Sequence, residues 1–173
     1  MERLHIGGKE PREGWKILNI QPGEGVDFVG DVRDLAGFAD DSWDEIYASH
    51  VLEHIPMQGT LPALQVLFRI LKPGGKLMIS VPDLETLCRL FTHPQLDKMS
   101  RFHVMTMMFG AQSDAHDFHY IGLNFEFLSE FLASAGFSGI ERIRSFDLFD
   151  DMSEFAPIGQ VPISLNVAAY KAA

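Results

Sequence analysis

The longest regular stretch of apolar and polar positions in this chain runs from Ser42 to Pro82. Asp44-Glu45-Ile46-Tyr47-Ala48-Ser49 reads as a short buried strand that ends in small polar residues. From Thr60 to Leu71 the apolar residues Leu61, Leu64, Leu67 or Phe68, and Leu71 recur at helical spacing. Pro73-Gly74-Gly75 stops that helix, and Lys76 to Val81 is a continuous apolar strand closed by Pro82. Strand, amphipathic helix, glycine turn and strand make a βαβ unit, so the two strands are expected to be parallel with a right-handed crossover. Strands buried on both faces imply an α/β sheet with helices on both sides.

The front of the chain predicts three more strands, Arg3 to Ile6, Trp15 to Ile20 and Val26 to Val29, joined by short loops rich in glycine and proline. Parallel crossovers usually take about a dozen residues or more. The front half is therefore either a pared-down parallel sheet or contains antiparallel pairs. Asp34 to Asp41 is expected to be a turn, with room for one short helix around Leu35 to Phe38. After Pro82, Asp83 is the expected N-cap of a helix through Phe91, and Leu96 to Phe109 is a methionine-rich helix. Asn124 caps a helix from Phe125 to Ala135, and Gly136 ends it. Ser138 to Ser145 and Ile163 to Lys171 are strands joined through an acidic loop, Asp147 to Val161. They are expected to form an antiparallel hairpin at one end of the sheet.

With 173 residues, the chain is read as a single domain, 1–173. The net charge of −10 opposes binding to a nucleic-acid backbone or an anionic membrane surface, and does not oppose a small cationic ligand. Cys88 is the only cysteine, so no intrachain disulfide is available. No apolar run reaches the length of a leader peptide or a membrane span. The expected setting is cytoplasmic, with a small-molecule partner.

In open α/β sheets ligands sit outside the carboxyl ends of the strands. Gly7-Gly8 follows the first strand, as a close-approach turn or an ordinary tight one. Asn19 ends the second strand, where an acidic residue commonly binds ribose hydroxyls. Asp31 follows the third, as a ligand group or a turn cap. Ser49 and His50 end the fourth. His50 and His119 are the candidate general bases, because imidazole titrates near working pH. His54, one turn on, is read with Glu53 as packing or capping the helix start. Ser113 to His119 carries two His and two Asp and is read as an acceptor lid or a solvated loop. No metal is assigned to it, because no further Cys or His cluster supports one. Met99 to Met108 are core, or an apolar acceptor wall.

The order strand–glycine turn, VDFVGD, FADDSWDEIYASHVLEH, helix and LKPGGKLMISVPD resembles the class I S-adenosylmethionine-dependent methyltransferases, in particular a small bacterial branch with a shortened front half. The tail HYIGLNFEFLSEFLASAGF is similar to the same family's segment. The resemblance implies a Rossmann-like, seven-stranded, mostly parallel sheet with an antiparallel last strand and reduced helices near its start. It implies an enzyme, a methyltransferase that uses S-adenosylmethionine and releases S-adenosylhomocysteine. By position, Gly7 and Gly8 match the glycine motif, Asn19 the ribose acid, Asp31 and Val32 the adenine contacts, and Ser49 with His50 the end of strand four beside the transferred methyl. Two positions depart from the pattern: Lys9 stands where a glycine is usual, and Asn19 where a carboxylate is usual. These departures keep a non-catalytic binding module on the same fold as the alternative. A nicotinamide-dependent oxidoreductase is the remoter one, since the full G-x-G-x-x-G is absent.

Overall fold

The computed structural model describes residues 1–173. Seven strands form one sheet: β1 (Arg3–Ile6), β2 (Lys16–Asn19), β3 (Phe28–Val29), β4 (Trp43–Ser49), β5 (Leu71–Pro82), β6 (Ser138–Ile143) and β7 (Ser164–Tyr170). Their order is β3-β2-β1-β4-β5-β7-β6. The first five are parallel, and β7 runs antiparallel between β5 and β6. Four α-helices complete the fold: α1 (Met57–Ile70), α2 (Leu84–Phe91), α3 (Lys98–Phe109) and α4 (Phe125–Ala135). No helix is long and apolar enough to cross a membrane.

The short front loops do carry parallel strands. Residues 7–15 return from β1 to β2, and residues 20–27 from β2 to β3, without a helix in either. The turn expected at Asp34 to Asp41 is present, and the short helix around Leu35 to Phe38 does not form within it. Arg69 of α1 holds it, donating to the Leu35 and Phe38 carbonyls at 2.8 Å each and pairing with Asp40. Those carbonyls are satisfied by a side chain, so the segment needs no helical ladder. The Pro73-Gly74-Gly75 stop is also part of β5: Trp43 pairs with Leu71, the register slips, and Glu45 pairs with Lys76. The expected caps are present, with Asp83 accepting from the Glu85 N–H, Asn124 from the Phe127 N–H, and Gly136 left-handed at φ +107°.

Strand alternation divides the core. Leu4, Ile6, Ile46, Ala48, Leu77, Ile79, Leu165 and Val167 face α1 and α4 in one large cluster with Leu64, Leu67, Leu128 and Leu132. Each fully buried leucine there contributes about 1.5–3 kcal/mol. The opposite face, left without front helices, is covered by the loop after β6. Phe146, Leu148 and Phe149 of that loop pack on Trp15, Tyr47 and Met78. The Phe149 ring lies 4.0 Å from the His5 ring and stacks on Tyr47 at 5.3 Å. Asp151 accepts the Tyr47 hydroxyl at 2.8 Å. The acidic loop thus does the work of a helix layer. On α3, Met107 is buried, whereas Met99, Phe102, Met105 and Phe109 are exposed. Cys88 is exposed on α2.

Candidate functional site

A cavity of about 560 Å³ opens at the carboxyl ends of β1 to β4, where the strand order places it. Its floor is Ile6, Gly7 and Leu18; Asn19, Asp31 and Val32 form one side, and His50, His54 and Tyr120 the other. Ser113 to Asp117 also line it. Of the residues singled out in the sequence, Gly7, Asn19, Asp31, Val32 and His50 line this space, while Gly8, Ser49 and His119 do not.

Gly7 sits at φ +79°, and a Cβ there would meet Val51 Cγ2 at 2.7 Å. The backbone at Gly7 is thus open to the cavity only because the residue is glycine. Gly8 serves the other face of the sheet: a Cβ there would strike the His5 ring at 2.5 Å. The Asn19 side-chain amide donates to the carbonyls of Gly7 at 3.3 Å and Gly8 at 2.9 Å, and its Oδ1 accepts the Gln21 N–H at 2.9 Å. Both amide hydrogens are used, and Oδ1 keeps capacity to accept one more hydrogen bond. Asp31 is gripped by Arg33 through Nε at 2.9 and 3.0 Å and through its terminal nitrogen at 2.5 Å. The Arg33 hydrogen bonds hold the Asp31 carboxyl below the usual carboxylate range, against a smaller opposing effect of burial. Ser49 Oγ is buried without a hydrogen-bond partner.

His50 is non-glycine backbone at φ +53°, a conformation that needs surrounding support. Its N–H donates to the Ser80 carbonyl at 2.8 Å. Its ring is held at both nitrogens, Nε2 3.0 Å from Ser164 Oγ and Nδ1 3.1 Å from Glu53 Oε1. Ser164 gives its one hydroxyl hydrogen to the Met152 carbonyl at 2.7 Å, so toward the ring its oxygen accepts from the His50 Nε2–H. The Nδ1–Glu53 approach has ion-pair distance but not hydrogen-bond alignment, and both Glu53 oxygens are without a hydrogen-bond partner. Burial by itself pushes the Glu53 carboxyl up; the His50 contact and the charges of His50 and His54 outweigh it and hold the group below its ordinary value.

His119 lies behind the cavity wall, its ring edge-on to His54 at 4.8 Å. Burial lowers its pKa, opposed by the Glu53 charge. Gly110 makes this approach possible. At φ +77°, a Cβ on it would meet the Asp117 carbonyl oxygen at 2.1 Å and the His119 nitrogen at 3.2 Å. Glu53, Gly110 and Arg33 were missed as site-forming residues in the sequence reading. Glu53 carried a signal, a carboxylate between apolar Leu52 and His54 ahead of an apolar helix; the other two carried none.

A family model described as a methyltransferase domain matches residues 12–79, from the front loop into β5 but not the glycine turn. No curated protein matches in sequence. Among solved structures, a SAM-dependent methyltransferase from Archaeoglobus fulgidus is 16% identical with a TM-score of 0.62, over 98% of this chain and 86% of that one. The 1,6-didemethyltoxoflavin-N1-methyltransferase of Burkholderia thailandensis, solved with 1,6-didemethyltoxoflavin and S-adenosylhomocysteine, is 17% identical with a TM-score of 0.60, over 99% and 71%. A possible exported protein of Bordetella parapertussis is 12% identical with a TM-score of 0.61, over 99% of this chain and 62% of that one. This chain thus spans less than two thirds of the Bordetella protein's length. The fold is the Rossmann-like methyltransferase fold, and the resemblance to the class I S-adenosylmethionine-dependent methyltransferases is borne out.

Proposed function

We propose that this chain transfers a methyl group from S-adenosylmethionine to a small-molecule or sugar-like acceptor. The observation that carries the reading is the cavity at the carboxyl ends of β1 to β4 in this fold, with Gly7 left-handed at its floor. About 560 Å³ suits a nucleoside-sized ligand. Gly7 would lie under the amino-acid part, Asn19 Oδ1 would accept from a ribose hydroxyl, and Asp31 with Val32 would border the adenine.

When bound, S-adenosylmethionine supplies a methyl on a positive sulfur. The acceptor's nucleophile forms the new bond to that carbon as the carbon–sulfur bond breaks, leaving S-adenosylhomocysteine. The protein's part is alignment, exclusion of water, and removal of a proton where the acceptor carries one. His50 borders the cavity, but its Nε2 is engaged by Ser164 and its Nδ1 faces Glu53, so it would act on an acceptor only by exchanging one of these contacts. His119 would act from behind His54 rather than by direct contact. The negative net charge supports a small acceptor over nucleic acid.

Two contacts favour a second reading, a non-catalytic binding module on the same fold. The Asn19 amide is spent on the Gly7 and Gly8 carbonyls, and Asp31 is neutralised by Arg33. Calorimetric titration with S-adenosylmethionine and S-adenosylhomocysteine separates the two. Micromolar binding, about −8 kcal/mol, supports the enzyme. Neither heat nor a thermal shift at millimolar ligand leaves the binding module.

A further inference from the structure

Beside the cavity, one carboxylate oxygen of Glu53 and one ring nitrogen each of His54 and His119 lie within 4.8 Å of one another. Glu53 is 2% exposed, and neither of its oxygens accepts a hydrogen bond. A buried carboxylate in that state calls for a cation. His50 supplies part of this on the Oε1 side, and Oε2 is left without a partner. His54 Nδ1 lies 3.2 Å from the Phe118 carbonyl oxygen. In the neutral ring that contact places the hydrogen on Nδ1 and leaves Nε2 with its lone pair. A backbone carbonyl fixing one imidazole nitrogen is how metal-binding histidines are commonly oriented.

The backbone holds the group together before any ligand arrives. The Tyr120 N–H donates to the Glu53 carbonyl at 2.7 Å, and the His119 N–H to the Phe109 carbonyl at 3.2 Å. Gly110 lets the chain close to that distance. These contacts join three segments far apart in sequence at one point.

We propose that Glu53, His54 and His119 bind one divalent transition-metal ion of the zinc and cobalt type. One carboxylate with two imidazoles suits such ions, whereas magnesium and calcium prefer all-oxygen sets. Ligand atoms around tetrahedral zinc stand about 3.3 Å apart, so binding asks for a small inward rotation of the three side chains. Three protein ligands leave a coordination position open, as in zinc sites that bind water or substrate. His54 borders the cavity, so that position is available to an oxygen or nitrogen atom of a molecule held there. The site stands on these residues and not on the methyl-transfer reading.

The test is titration of chelator-stripped protein with Co²⁺, followed by its visible absorption, and with Zn²⁺ by calorimetry. One Co²⁺ per chain is expected, displaced by Zn²⁺. His54→Ala and His119→Ala should each weaken binding by about 10-fold or more, and His103→Ala, exposed on α3, should not. Glu53 is buried and its variants are prone to misfold, so the two histidine variants, checked for fold by circular dichroism, carry the decision. No stoichiometric binding at micromolar metal overturns the proposal. So does binding that survives both histidine variants, or binding lost in His116→Ala, which would put the ion on the 113–117 loop. Titration with S-adenosylhomocysteine in parallel keeps the two readings apart: metal without nucleoside, or nucleoside without metal, fails only one of them.

Discussion

The Asn19 side-chain amide donates to the Gly8 carbonyl at 2.9 Å and to the Gly7 carbonyl at 3.3 Å, tying the end of β2 to the turn after β1. Asn19→Asp restores the acidic residue usual in the family at this place, but sets a carboxylate against two carbonyl oxygens. The expected outcome is a loss of about 1–3 kcal/mol in stability, with no gain in affinity for S-adenosylhomocysteine. Denaturant unfolding and calorimetry of the variant check both halves. A tighter-binding, equally stable variant would show that the turn does not depend on the amide.

Stability should fall on mild acidification because of His5. Burial among Trp15, Tyr47 and Phe149 pushes its pKa from 6.5 to about 4, with the Asp151 charge opposing. The unfolded chain takes up this proton first. The stabilising contribution is therefore complete above about pH 6.5 and is lost as pH falls toward 4, by up to about 3 kcal/mol. Urea midpoints across that range measure the slope. His5→Leu, which has no proton to gain, should flatten it.

Gly110→Ala should disturb the wall of the cavity rather than the sheet. The added methyl meets the Asp117 carbonyl oxygen at 2.1 Å on a backbone already at φ +77°. A cost of about 1–3 kcal/mol is expected. Faster proteolysis within residues 110–119 and weaker ligand binding should accompany it, with the circular dichroism of the sheet unchanged.

Lys171 closes the far end of α1. Its Nζ donates to the Phe68 carbonyl at 2.9 Å and the Leu71 carbonyl at 2.7 Å, and pairs with Asp41 at 2.6 Å. It also lies over the Phe68 ring at 4.9 Å. Lys171→Met keeps the stem but removes the charge from a helix C-terminus, for an expected loss of about 1–3 kcal/mol. Because the site lies at the other ends of the strands, thermal stability should drop while ligand affinity holds.

The βαβ unit, the hairpin of β6 and β7, and the caps at Asp83, Asn124 and Gly136 were legible in the sequence. Each rests on local periodicity or on a side chain bonding its own neighbours, which the order of residues determines. The positions of Gly7, Asn19, Asp31, Val32 and His50 at the strand ends followed from the same pattern, because strand ends in a parallel sheet share one edge. What those side chains do there did not follow. Only the tertiary structure turned the Asn19 amide onto the glycine turn, set Arg33 on Asp31, and laid Phe149 over the sheet face that lacks helices. It alone brought His119 against Glu53 and His54, more than sixty residues away in the chain. Contacts of that range depend on how segments pack and on which buried polar groups must find partners, and no local repeat in the sequence records them.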